Sequence, residues 1–218
     1  MDLNLKTKFS SNTVIVFDFD GTIADSFGTV IKILGELSNN PTFKNIVPRE
    51  QMEQLRNEGI RKLIKTRSVI SMAQLPFWVR RFRQELNNKL STTTPIKDIS
   101  EVINSLKNKY KIAIISSNAK ENIEIFLKNN GINVDYIYSG SSIFGKSKVI
   151  NVFIKKEKIN RGDVIYIGDE DRDIEAAHKS HIFSIAVSWG YNSEKVLIGA
   201  SPNILIKKPE ELISIFLD

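Results

Sequence analysis

The stretch Thr13-Val14-Ile15-Val16-Phe17-Asp18-Phe19-Asp20-Gly21-Thr22 decides the fold. Its first five residues are β-branched or aromatic and continuously apolar, the pattern of a strand buried on both faces of a parallel sheet. Four more such runs follow, at Ile112–Ile115, Tyr136–Tyr138, Val164–Ile167 and Ile182–Val187, with a weaker one at Ile204–Ile206. Helical patterns separate them. Ile99–Lys109 sets Val102, Ile103 and Leu106 on one face behind an Asp98/Glu101 capping box. Asn118 reads as the cap of the next helix, with Ile123, Phe126 and Leu127 as its apolar face and Asn130-Gly131 as its end. Val149, Ile150, Phe153 and Ile154 mark a third. Strands alternating with helices of this length predict an α/β fold with a parallel sheet covered on both faces.

One segment breaks the alternation. From Ser26 to Pro95, 70 residues, the spacing is helical and no convincing strand occurs. Pro76 suits a first helical turn, and Val79, Phe82, Leu86 and Leu90 follow at helical spacing. The expected organisation is a core of residues 1–25 and 96–218 with a helical insert at 26–95. The insert also carries the charge. Between Pro41 and Pro95 there are 11 basic and 4 acidic residues, a net of +7, against +6 for the whole chain and so −1 for the rest. A basic wall of this kind suits an anionic ligand.

Composition removes several chemistries. At 218 residues, 41% hydrophobic and 26% charged, the chain has the make-up of one globular domain, with or without an insert. With no cysteine there is no disulfide framework, cysteine zinc site, iron–sulfur cluster or thiol nucleophile. Two histidines, His178 and His181, cannot make a three-histidine zinc site and read as structural or surface residues. No apolar run approaches the roughly 20 residues that span a bilayer, and Met1–Ser10 has no apolar signal core. The expected compartment is the cytoplasm, with no membrane partner.

Chemistry gathers at the ends of the strands. Alternation along an extended backbone points Asp18 and Asp20 the same way, at the carboxyl edge where open α/β sheets bind ligands. Two adjacent carboxylates there call for a cation or a shared proton. The fourth strand ends in Gly168-Asp169-Glu170-Asp171-Arg172-Asp173, a second acidic cluster at the same edge. Oxygen ligands without histidine or cysteine favour Mg²⁺. An aspartate before a helix is also a common cap, but two such clusters, each ending a buried strand, argue for a shared cation. The second strand ends in Ser116-Ser117-Asn118, hydroxyls and amides suited to a phosphoryl oxygen. Lys146, behind a glycine at a helix start, could bring a cation to the same edge.

Gly140 to Ser147 also fits G-x-x-x-x-G-K-[ST], the nucleotide-binding P-loop pattern. Only 71 residues follow it, Lys146 and Asp169 lie 23 positions apart, and the P-loop reading leaves Asp18-x-Asp20 without a role. We therefore reject it.

Taken in order, Asp18-Phe-Asp-Gly-Thr22, Ser116-Ser-Asn118, Lys146 and Gly168-Asp-x-x-x-Asp173 resemble the four motifs of the haloacid dehalogenase-like hydrolases, most closely the phosphoglycolate phosphatase-like group. The resemblance covers essentially the whole chain. It implies a Rossmann-like three-layer core with a parallel sheet, and makes the insert that family's α-helical cap. It further implies Mg²⁺-dependent hydrolysis of a small phosphomonoester through an aspartyl-phosphate. Asp18 would be the nucleophile and Asp20 the acid and base. The metal would be held by Asp18, the Asp20 backbone carbonyl and Asp169, with Asp173 in support. Thr22, Ser116, Ser117 and Lys146 would bind the substrate. The usual proline after the lysine is missing, so Lys148 competes with Lys146 for that role. Asp20 favours a phosphatase over a dehalogenase, which lacks it. The expected partner is a small phosphorylated substrate, not a nucleic acid. Two alternatives stay open: a sugar-phosphate mutase with the same motifs, and a non-catalytic binding module using the basic insert, where Arg80–Arg83 lies beside Phe77, Trp78 and Phe82.

Overall fold

In the computed structural model, residues 9–38, 80, 84–85, 93–140 and 145–218 are described. Their strands are β1 (Val14–Phe17), β2 (Lys111–Ile115), β3 (Tyr136–Tyr138), β4 (Val164–Gly168), β5 (Phe183–Val187) and β6 (Ile204–Ile206). All neighbours pair in parallel, in the order β3-β2-β1-β4-β5-β6. The helices are α1 (Phe27–Ser38), α2 (Ile99–Lys107), α3 (Lys120–Asn129), α4 (Lys146–Glu157), α5 (Asp171–Lys179), α6 (Glu194–Gly199) and α7 (Glu211–Phe216).

The continuous apolar strands are explained by two covered faces. In β1, Ile15 and Phe17 join Phe19 in a core with Ile103 and Leu106 of α2, Phe126 of α3 and Leu212 of α7. Val14 and Val16 point the other way, onto Ile150 and Phe153 of α4 and Ala176 and Ala177 of α5. The period of two along an extended chain makes this division. It also sends Asp18, next in the even-numbered series, to the α4 side. No helix among the described residues is long and apolar enough to cross a membrane.

Two caps differ from the sequence expectation. Asp98 precedes α2 with φ 64° and makes no side-chain cap hydrogen bond, so no Asp98/Glu101 capping box forms. The residue capping α3 is Ala119, not Asn118. Asn118 stands one residue earlier and turns its amide toward Asp20 at the carboxyl edge of the sheet. A capping box does form at α5, between Glu170 and Asp173.

Within the insert, α1 and residues 93–95 are described, and Ala24 bridges to Pro95, so the segment's two ends meet. Of the helix expected from Pro76 only Arg80, Gln84 and Glu85 are described, and all three are helical; Arg81–Arg83 lie outside the described residues.

Asp135 ties three elements together. Its carboxylate accepts the Ile112 N–H at 2.9 Å and pairs with Lys107 at 2.9 Å and Lys111 at 3.3 Å. Burial pulls its pKa up, but the Ile112 amide and the two ammonium groups outweigh this and hold the carboxyl below its ordinary 3.8. A folded-state pKa below the unfolded value stabilises the fold above the unfolded value, and this contribution is lost as pH falls through the folded pKa. Asp135→Asn should lower the urea midpoint at pH 7. The gap between variant and parent should then close as the pH is taken well below 3.8, with urea titrations at each pH as the check.

Candidate active site

The parallel register brings β1 and β4 to one edge together. Phe17 pairs with Ile167, and the Asp18 N–H donates to the Ile167 carbonyl at 2.8 Å. The two acidic clusters, some 150 residues apart in sequence, therefore begin side by side. Asp18, Asp20, Asp169, Glu170 and Asp173 are all buried. Carboxylate oxygens of Asp18, Asp169 and Asp173 lie within 4.8 Å of one another.

Lys146, the first residue of α4, reaches this cluster from the even-numbered face. Its Nζ lies 2.9 Å from Asp18 Oδ2 and 2.5 Å from Asp173 Oδ1, above the Tyr166 ring. Lys146 is buried, whereas Lys148 is exposed, which decides between the two lysines for this position. The other Asp173 oxygen accepts the Glu170 N–H at 3.1 Å. Asp173 thus fixes both the lysine and the first turn of α5. Arg172 forms an ion pair with Glu170 beside it.

At β2, Ser116 Oγ accepts the Asn118 N–H at 3.0 Å. Asn118 Nδ2 donates to Asp20 Oδ2 at 3.3 Å, joining this loop to the Asp20 carboxyl. Ser116 is buried and Ser117 half-buried next to it. Thr22, expected to touch substrate, donates its hydroxyl to Asp169 Oδ1 at 2.7 Å. Its side chain orients a carboxylate.

The electrostatics fit a divalent cation. Burial, opposed by Lys146 and reinforced by Asp173, raises the Asp18 pKa to about 6. Burial, then repulsion from Asp18, raises Asp20 to about 6. Asp169 is pushed well above its ordinary value by burial and by Glu170, Asp173 and Asp18. Burial pulls the Lys146 pKa down, but Asp173 and Asp18 outweigh that and hold it well above its ordinary value. Among the described residues, five buried acids thus face two cations, Lys146 and Arg172. Carboxyls that retain protons for want of positive charge release them to a bound metal. The donors are all oxygen, the hard set that suits Mg²⁺ and its relatives.

One part of the site escaped the sequence reading. Trp189-Gly190 opens a loop that encloses Asp169. The Trp189 indole donates to the Thr22 carbonyl at 3.1 Å. The Tyr191 N–H donates to Asp169 Oδ2 at 2.7 Å, and the Asn192 side chain accepts the Asp171 N–H at 2.8 Å. A Cβ on Gly190 would stand 2.2 Å from Asp169 Oδ2, and one on Gly21 2.3 Å from the same atom. Gly21 also has φ +82°. Only glycine lets both loops close on that carboxylate. A tryptophan followed by glycine carries no metal-site signature, so the signal was absent from local sequence.

Gly190→Ala should therefore displace Asp169. The expected cost is about 1–3 kcal/mol of stability, together with weaker divalent-metal binding. Thermal melting and titration calorimetry with Mg²⁺ would register the two effects.

The sequence profile of the haloacid dehalogenase-like hydrolases matches residues 15–187. A phosphoglycolate phosphatase of Synechococcus elongatus is 30% identical over 202 residues, 91% of this chain and 94% of that enzyme. A pyrophosphatase of Listeria monocytogenes is 24% identical over 223 residues, 94% of this chain and 97% of its own. Among solved structures, a haloacid dehalogenase-like hydrolase from Streptococcus pneumoniae aligns with a TM-score of 0.74 at 22% identity, covering 94% of this chain and 98% of that one. The matched span runs from β1 through β5 and includes both acidic clusters, the Ser116 loop and Lys146. The chain belongs to the haloacid dehalogenase-like hydrolases.

Proposed function

We propose that this phosphatase hydrolyses a small phosphomonoester, phosphoglycolate first among the candidates, with Mg²⁺ and through an aspartyl-phosphate on Asp18. The observation that carries the reading is Lys146 held between Asp18 and Asp173 at 2.9 and 2.5 Å, beside a three-carboxylate cluster. The 30% identity to a phosphoglycolate phosphatase supports the substrate.

Asp18, Asp169 and Asp173 would hold the ion, together with the Asp20 backbone carbonyl. When bound, Mg²⁺ would offset negative charge on the transferring phosphoryl group. An Asp18 carboxylate oxygen attacks phosphorus, and the bond from phosphorus to the ester oxygen breaks. Asp20 gives its proton to the departing alkoxide. Water then attacks the phosphorus of the aspartyl-phosphate and loses a proton to Asp20. Phosphate leaves and the Asp18 carboxylate is restored. A pKa raised to about 6 suits Asp20 to both halves of this cycle. Lys146 orients Asp18 and neutralises the phosphoryl oxygens, with Ser116 and the Ser117 N–H as further donors. Thr22 acts by orienting Asp169.

Residues 26–95 would form the helical cap over this edge. Its +7 balance would draw a dianionic substrate into the cleft, and its closure would exclude water. The cytoplasm is the compartment that fits this reading.

Asp18→Asn should abolish Mg²⁺-dependent phosphate release, and Asp20→Asn should lower it by about 10²–10⁴-fold. EDTA should stop the parent, and added Mg²⁺ should restore it. The assay is phosphate release from phosphoglycolate, sugar phosphates, pyrophosphate and p-nitrophenyl phosphate. Activity that survives Asp18→Asn, or inactivity across the whole panel, would overturn the reading.

A further inference from the structure

Tyr166 connects the lysine of the site to the loop after β2. Up to Gly168, β4 is otherwise aliphatic, yet its middle residue is a tyrosine. It is the largest fully buried side chain among the described residues. Like Val14 and Val16, it lies on the α4 side of the sheet. Lys146 Nζ stands over its ring, 5.5 Å from the centre. Tyr166 is level with Val16, so the ring begins one step deeper in the sheet than Asp18, which pairs with the same ammonium at 2.9 Å. The far end of the side chain is also held. The hydroxyl reaches past β1 and donates to the Ile115 carbonyl of β2 at 3.1 Å, immediately before Ser116.

Packing alone does not call for this residue. Contact with Ile150 and Phe153 asks only for apolar volume, whereas a buried phenol adds the need for a hydrogen-bond partner. The face of the ring is negative and attracts a cation, more strongly where water is excluded. Lys146 and Tyr166 are both buried. A lysine ammonium is a compact charge on a flexible four-carbon stem. The carboxylates of Asp18 and Asp173 draw it toward the edge of the sheet, and the ring holds it from below.

We propose that Tyr166 is a positioning residue: its ring face fixes the height of the Lys146 ammonium beside Asp18, and its hydroxyl ties that height to the Ser116 loop. Lys146 and Ser116 are thereby kept in place to meet one phosphoryl group. The inference rests on the reading of both residues as ligands of that group.

The test separates the charge on the ring face from the volume of the ring. Tyr166→Phe keeps the negative face and gives up the hydroxyl. Pentafluorophenylalanine at the same position keeps the shape of the phenylalanine ring and inverts the charge on its face. Tyr166→Leu removes the ring. With Mg²⁺ saturating, kcat/KM is measured on the phosphomonoester that the parent turns over best, with Lys146→Met alongside. Tyr166→Phe should fall a few-fold below the parent, because only the tie to the Ser116 loop is cut. The fluorinated ring and the leucine should each fall about 3–30-fold further. The inhibition constant of inorganic phosphate should rise in step. Melting temperature and calorimetric Mg²⁺ affinity should agree between the two phenylalanine forms. Lys146→Met should lose the most.

Equal kcat/KM for the two phenylalanine forms, with Lys146→Met impaired, would overturn the inference alone. That comparison stands even if the leucine variant does not fold. A fluorinated form that loses Mg²⁺ affinity along with activity would assign the ring to the carboxylates, and would likewise overturn it. If Lys146→Met is as active as the parent, the reading of Lys146 falls and the inference falls with it.

Discussion

The ion pair that fastens Lys146 to Asp18 and Asp173 is the constraint on which the rest depends. An ammonium taken out of water is costly, and so is a carboxylate. The ammonium is tolerable here because two carboxylates are within hydrogen-bond reach, and each carboxylate because the ammonium is. This sets demands on three elements at once. β1 must end with Asp18 on the even-numbered face, α4 must begin with Lys146 over that face, and α5 must present Asp173 from its first turn. The capping box at Glu170 and Asp173 and the parallel register of β1 with β4 meet those demands.

The same cluster remains short of positive charge. Among the described residues Lys146 and Arg172 do not balance five buried acids, and burial together with this deficit raises the pKa values of Asp18, Asp20 and Asp169. A fold optimised for stability alone would fill such a site with apolar side chains. In the proposed function a divalent ion and a phosphoryl group together would convert the arrangement from a liability into a receptor, because the ion would supply the missing charge and the phosphoryl oxygens would meet the lysine and the amides.

Around this core the loops divide the work. The turn after β1 carries the two aspartates and closes through Gly21. The loop after β2 supplies Ser116 and, through Asn118, one hydrogen bond to Asp20. The loop after β5 contributes no acid of its own, yet it encloses Asp169 and reaches back to Thr22 and Ser26. Precision at Asp169 thus comes from two segments distant from it in sequence, both of which need glycine for close approach.

Much of this was legible in the chain itself. Six apolar runs became six parallel strands within a residue of their expected bounds, because β-branched stretches between amphipathic helices have few other ways to bury both faces. Asp18, Asp20 and Asp169 stood out because two acidic clusters each end a buried strand at one edge, and Lys146 because its position matches the third motif of the resemblance. What the sequence could not settle was which atoms meet. Thr22 turned to Asp169, Asn118 gave its amide to Asp20 from one residue before the helix cap, and Tyr191 joined Asp169 to the root of α1. Periodicity determines which face a residue takes, and that depends on neighbours in the chain. Hydrogen-bond partnership across loops depends on where the folded sheet brings distant segments, and only the tertiary structure decides that.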